Sequence, residues 1–412
     1  MNKILKVILI TLCVILGVLF LCFVANKINA KAINSYIDTF SEVERTDALS
    51  PATDEYGNTF FETDRDFKIV HLTDIHIGGG FLSARTDKRA INAVAAMVSE
   101  EKPDLVIVTG DISFAVPWTG TNDNAYAHSF FIRLMERLGV PWTVTLGNHD
   151  SEAYNLRDRE YVARMYDSAR LEHSLFRSAD VSGYGNHVIT VRNGDGVVTD
   201  SFFMIDSHSY TDKDPYGIIW DYDCIKEDQI EWYSECVELY SAYNASLISA
   251  LASLGCDTDY SAFTTVPSEL FFHIPLREVK YAYDDYVGAS RESTEDTLYI
   301  EGHDGESDEM VYCSRADELL FETALELDST RAMFYGHDHL NNFIFEYKGI
   351  ILAYGYSIDY LAYSGISNKG YQRGCTVITS SPGGELTIVH ENYYQDKYES
   401  LYEKETVNMS KE

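Results

Sequence analysis

Five short polar blocks carry the residues of this 412-residue chain best suited to chemistry. They are Asp74-Ile-His76, Gly110-Asp111, Gly147-Asn148-His149-Asp150, His273, and Gly336-His337-Asp338-His339. Together they supply two Asp, one Asn and four His as candidate metal ligands, with His149 left over. A donor set of this size suits two metal ions that share one carboxylate, an arrangement that activates water and steadies developing charge on an ester. A hydrolytic enzyme is the leading expectation.

Such residues need rigid elements to converge. Each block follows an apolar, β-prone run (FKIVHL, LVIVT, WTVTL, ELFF and RAMFY), so the polar residues fall just past strand ends, where open α/β sheets gather ligand sites. The pattern predicts a strand at Phe67–Leu72, a helix over 86–101, a strand at Leu105–Thr109, a helix over 124–138 and a strand at Trp142–Leu146. This alternation implies parallel βαβ units with right-handed crossovers. A third helix is expected over 157–169, a hairpin turning at Asn193-Gly194, a long helix over 225–254, and final strands at FIFEY, ILAYG, TVITS and ELTIV. Gly147 is expected to allow a tight turn. The acidic stretch 291–309 reads as a solvated loop. The expected organisation is an N-terminal signal anchor or signal peptide (1–30), a polar linker (31–66), a catalytic domain (67–390) and a polar tail (391–412).

Composition narrows the partners. With 32 basic against 65 acidic residues the formal charge is −33, a surface that repels polyanions, so no nucleic acid is expected as a preferred substrate. A small phosphate ester stays open, because bound cations dominate the local field in a site. Lys3 and Lys6 precede 19 uncharged apolar residues, Val7 to Ala25, the length of a membrane span. Ala30, with Ile28 at the −3 position, is a poor cleavage site, which favours an uncleaved anchor over secretion after cleavage. The expected location is membrane-anchored, with the catalytic part outside the cytoplasm. The five cysteines beyond the span form no metal-binding spacing.

In this order, the blocks D-x-H, G-D, G-N-H-D, a lone His and G-H-x-H resemble the signature of the calcineurin-like metallophosphoesterase superfamily. The resemblance covers Phe67 to about Val389 and extends to FFMIDSH, IKEDQIEW and GHDHLNNF. It looks closest to the non-purple branch related to the purple acid phosphatases. It implies an α/β fold of two sandwiched sheets flanked by helices, with a binuclear centre along one edge. Carried over residue by residue, Asp74, His76 and His339 would bind one divalent metal ion. Asn148, His273 and His337 would bind the other, and Asp111 would bridge. His149 would contact the phosphate or protonate the leaving group, and Asp150 would orient its imidazole. Where the purple enzymes carry Gly and a metal-binding Tyr, this chain has His76 and Phe114, so no ferric–phenolate colour is expected. Mn, Fe and Zn all suit the ligands.

The resemblance favours a phosphomonoesterase working through a metal-bridging hydroxide. A phosphodiesterase or nucleotide pyrophosphatase on the same site is the alternative, and a non-catalytic surface binding protein is the rival of another class. The remaining His, including His71, His128 and His208, are expected to be structural, and Arg373 is expected at the surface.

Overall fold

The apolar runs ahead of the polar blocks are strands, and a computed structural model places them in two sheets. The structure describes residues 3–306, 311–316, 319–363, 366–367 and 372–405. Its chain begins with helix α1 (Lys3–Ile37) and two short strands, β1 (Ala52–Thr53) and β2 (Thr59–Glu62). There follow β3 (Phe67–Leu72), α2 (Ala84–Glu101), β4 (Leu105–Thr109), α3 (Ala125–Leu138), β5 (Trp142–Thr145) and α4 (Arg159–Tyr166). The hairpin β6 (His187–Arg192) and β7 (Val198–Met204) leads to α5 (Glu227–Ser253), β8 (Ser268–Phe271), α6 (Arg277–Gly288) and β9 (Thr297–Glu301). The last elements are α7 (Leu320–Leu327), β10 (Thr330–Tyr335), β11 (Ile344–Tyr347), β12 (Ile350–Tyr354), β13 (Gly374–Ser380) and β14 (Leu386–Asn392).

One sheet has five strands in the order β14-β13-β3-β4-β5; the other has nine, β1-β2-β6-β7-β8-β10-β12-β11-β9. β3, β4 and β5 run parallel, as do β7, β8, β10 and β12. All these parallel strands therefore point their C-terminal ends at one edge of the molecule. Alternation along β3 shows how the layers form. Phe67 and Ile69 face the other sheet, while Val70 and Leu72 face the helices. Between the sheets Phe271 and Phe334 stack at 4.9 Å and Phe67 on Phe202 at 5.8 Å. Each such side chain contributes about 1.5–3 kcal/mol through burial. Helices α2 and α3 end cleanly, α2 at left-handed Lys102 before Pro103 and α3 at Gly139 (φ 68°).

Three expectations change. Residues 31–66 are not a polar linker: Ile33, Ile37 and Val43 enter the core, and β2 pairs parallel with β6 and buries Phe61. The stretch 391–405 is not a loose tail, because Tyr393 and Tyr398 are buried; 406–412 lie outside the described residues. The acidic stretch contains β9, paired with β11, so it is not wholly a solvated loop. In each case a few apolar anchors among many acids suffice, and their partners lie far away in sequence. The helix expected over 157–169 is also shorter, because α4 stops before Asp167, whose side chain caps a following single turn.

Candidate metal centre

The loops leaving β3, β4, β5, β8 and β10 meet at the shared edge. Four candidate ligands there, Asp74, His76, Asp111 and His337, have positive φ of 49–77°. Left-handed backbone costs a non-glycine residue on the order of 1–3 kcal/mol, so it persists only where the surroundings enforce it. They do. Asp74 N–H donates to Gly110 O (3.2 Å), His76 N–H to Asp111 O (3.0 Å), and His337 N–H to the Asp74 carboxylate (3.1 Å). The glycines serve contact between loops. A Cβ on Gly147 would lie 2.1 Å from Asp111 Oδ1, and one on Gly336 would lie 1.9 Å from Thr73 Oγ1. The φ of Gly147 is not positive, so close approach explains it better than the tight turn expected.

The side chains form two buried clusters that share Asp111. Asp74, His76, Asp111 and His339 present donor atoms within 4.8 Å of one another, and so do Asp111, His273 and His337. Asn148 joins the second, its Oδ1 lying 3.1 Å from His273 Nε2 while its Nδ2 donates to Tyr210. His273 shows what the clusters lack. Its Nδ1–H donates to Thr109 O at 2.7 Å, so Nε2 is the ring nitrogen turned toward the cluster. Nε2 meets Asp111 Oδ2 and Asn148 Oδ1 at 3.1 Å each, a convergence of donor atoms that suits a shared cation. Both ring nitrogens of His76, Asp111 Oδ2 and His337 Nδ1 are buried and make no hydrogen bond. A buried, uncompensated charge costs several kcal/mol, which a divalent cation in each cluster would remove. The donor set therefore fits two divalent ions.

Electrostatics agree. Burial, with His339 nearby, pushes His76 down to about 3, and burial lowers the pKa of His337 as well. At His273 and His339 burial also opposes charge, but carboxylates win. Asp111 pushes His273 up to about 9, and Asp359 and Asp74 push His339 up to about 10. Burial works against ionised Asp111 as well, and the surrounding imidazoles, led by His273, outweigh it.

His149 stands beside the clusters, with 23 % of its side chain exposed. Its Nδ1 is 2.6 Å from Glu152 Oε1. Burial disfavours its imidazolium, yet Asp111 and Glu152 together raise its pKa. Asp150 does not orient this ring, contrary to expectation. Its carboxylate accepts the backbone N–H groups of Asp111, Ser113 and Gly147, at 2.8–3.0 Å, and so clamps two loops together. Glu152, three residues after His149 across a single 3₁₀ turn, holds the imidazole instead.

Two further supporting residues emerge. Asp359 Oδ2 lies 3.3 Å from His339 Nδ1, turning the other ring nitrogen toward Asp74. Arg373, expected at the surface, is buried and donates to the carbonyls of Ile358 and Asp359, fixing that loop. The spacing of neither to a motif betrays it. Phe114 lies 5.4 Å from the His76 ring and 5.0 Å from that of His149, with no oxygen to offer a metal. His71 bonds Thr109, His128 bonds Tyr166, and His208 bonds Gln229, so none of the three joins the clusters. A cavity of about 770 Å³, lined by Thr53, Arg164, Leu175 and Arg177 among others, contains none of the candidate ligands.

The chain is 26% identical over 353 residues to "Probable inactive purple acid phosphatase 28" of Arabidopsis thaliana, covering 78% of this chain and 77% of that one. It is 26% identical over 309 residues to "Phosphatase DCR2" of Saccharomyces cerevisiae, covering 68% of this chain and 46% of that protein. Among solved structures, a dimetal phosphatase from Danio rerio aligns over 81% of this chain and 98% of its own, at 10% identity and a TM-score of 0.46. The family model for calcineurin-like phosphoesterases matches residues 67–341, which contain every candidate ligand. The chain belongs to the calcineurin-like phosphoesterase family.

Proposed function

We propose that the protein is a two-metal phosphomonoesterase held to a membrane by α1. The observation that carries the first part is Asp111, whose partnerless Oδ2 belongs to both buried donor clusters. Asp74, His76 and His339 would hold one ion, Asn148, His273 and His337 the other, and Asp111 both. Such an ion pair supplies Lewis acidity and an activated water. The chain's own residues do the rest. Asp150 keeps the Asp111 and Gly147 loops in register, and Asp359 and Arg373 keep His339 turned inward. His149, whose imidazolium Asp111 and Glu152 favour, donates a proton from Nε2 to the departing alkoxide. Phe114 lies against His76 and His149 and limits water there.

The anchor reading rests on how α1 continues. Beyond its apolar run, Asn26 and Asn29 are buried and bond Gly120 O and Gly80 O. Cleavage after Ala30 would remove both. The names of three plant relatives favour a second reading, an inactive binding protein, since each carries the word inactive. The complete donor set speaks for turnover. Full-length protein loaded with Mn, Fe or Zn should hydrolyse p-nitrophenyl phosphate faster than bis-p-nitrophenyl phosphate or nucleotides. Full metal occupancy without turnover would favour the binding reading; preference for the diester would favour a phosphodiesterase.

A further inference from the structure

The direction of α1 relative to the metal-binding edge has a consequence for the substrate. In the five-stranded sheet the ligand-bearing loops leave the C-terminal ends of β3, β4 and β5, so α2 and α3 start at that same edge. Asn26 and Asn29 of α1 bond Gly120, Phe81 and Gly80, in the loops just ahead of α3 and α2. Farther along, Ile33 and Ile37 enter the core, and Val43 N–H donates to Leu138 O at the far end of α3. Helix α1 therefore runs alongside α3 in the same direction, and its earlier residues project beyond the metal-binding edge. Val7–Ala25 spans about 28 Å at 1.5 Å per residue, close to a hydrocarbon core. No spacer separates it from the domain: Asn26, the next residue, is already bonded to Gly120.

The rim of that edge is apolar on both sides of the site. Near α1 stand Leu82, 64% exposed, and Trp118, 67% exposed. Across the site, the loop after β7 exposes Ile218 (76%), Ile219 (57%) and Trp220 (54%). This loop reaches the donors directly, since Tyr210 bonds Asn148 and the Tyr222 ring lies 4.5 Å from that of His337. On the other side, ring contacts of 6.1 and 5.0 Å join Trp118 through Phe114 to His149. Exposed Trp and Ile flanking one opening, level with the end of a membrane span, match the residue types that settle at a lipid–water boundary. Lys27, its Nζ over the Tyr126 ring at the start of α3, adds positive charge beside lipid phosphates.

We infer that the metal-bearing opening faces the bilayer into which α1 inserts, and that its substrate is a phosphate monoester carried by a lipid in that bilayer. This rests on the phosphomonoesterase reading above. Water oxygen bonds to phosphorus, the bond from phosphorus to the lipid oxygen breaks, and His149 gives that oxygen its proton. A lipid alcohol stays in the membrane and inorganic phosphate leaves to solution. The chain's strong negative charge does not oppose this, because the apolar rim rather than the acidic flanks meets the lipid.

The test uses metal-loaded full-length protein in phosphatidylcholine vesicles containing phosphatidic acid, with p-nitrophenyl phosphate as the soluble comparison. Phosphatidic acid should be hydrolysed, and Leu82→Ser combined with Ile218→Ser and Ile219→Ser should slow that reaction about tenfold. Turnover of p-nitrophenyl phosphate should be unchanged in the same variant. Independently of activity, vesicles of dibrominated phosphatidylcholine should quench tryptophan fluorescence, and Trp118→Phe with Trp220→Phe should remove the quenched part. Hydrolysis of p-nitrophenyl phosphate with phosphatidic acid untouched would overturn the substrate assignment and leave the phosphomonoesterase reading standing. Quenching that is absent, or unchanged in the double variant, would overturn the orientation. If neither ester is hydrolysed, the phosphomonoesterase reading falls and the substrate assignment with it, while quenching still decides the orientation.

Discussion

Strands β8 and β10 lie side by side and carry buried ionisable groups at both ends, and the two ends behave differently. At their starts, Glu269 and Asp200 (of neighbouring β7) are fully buried around Arg331, whose guanidinium sits 2.6 Å from each carboxylate. Burial, with Asp200 nearby, raises the pKa of Glu269, and Ser380 also donates to Asp200. That end holds its own cation. Past the other ends of the same strands, His273 and His337 meet Asp111. The difference teaches that buried charge is not itself a sign of function. What marks the second end is a set of donor atoms, both ring nitrogens of His76 and Asp111 Oδ2 among them, that make no hydrogen bond among the described residues, held in strained backbone.

The contrast can be broken in steps. Asp111→Asn should have the largest effect, turnover of p-nitrophenyl phosphate falling to background, as read by steady-state kinetics. Arg331→Met leaves two buried carboxyl groups without their cation and should cost about 3–5 kcal/mol in denaturant unfolding, with metal content unchanged in the protein that remains folded. Loss of metal in that variant would mean that the two ends are not independent. His149→Ala should keep its metals and lower kcat by about 100-fold or more, as expected of a proton donor. Glu152→Gln should act least. Glu152 raises the pKa of His149, and the active ring is protonated, so kcat falls as pH rises through that pKa. Without the carboxylate the pKa drops, and the alkaline limb of the kcat profile should move to lower pH. An unmoved limb would remove His149 as the donor.

Much of this edge was legible in the sequence because its signals are local. The strand at Phe67–Leu72 and the donors behind it occupy a few consecutive residues, and strand ends bring such blocks together whatever the intervening chain does. The supporting residues were not legible. Asp359 and Arg373 act on His339 through a loop carbonyl and a carboxylate, contacts that no spacing encodes. Asp150 and Glu152 are both acids within three residues of His149, and only the single turn between them decides which reaches the ring. The segment 31–66 hid its role for another reason. Phe61 is one apolar anchor in an acidic stretch, and its strand partner β6 lies more than a hundred residues away.

The central claim is that Asp111 joins two metal sites into one centre. Metal content of the purified full-length protein, by plasma mass spectrometry after loading and desalting, tests it most directly against Asp111→Asn. The account predicts two ions per chain in the parent protein and at most one in the variant. Two ions retained in both proteins would contradict it.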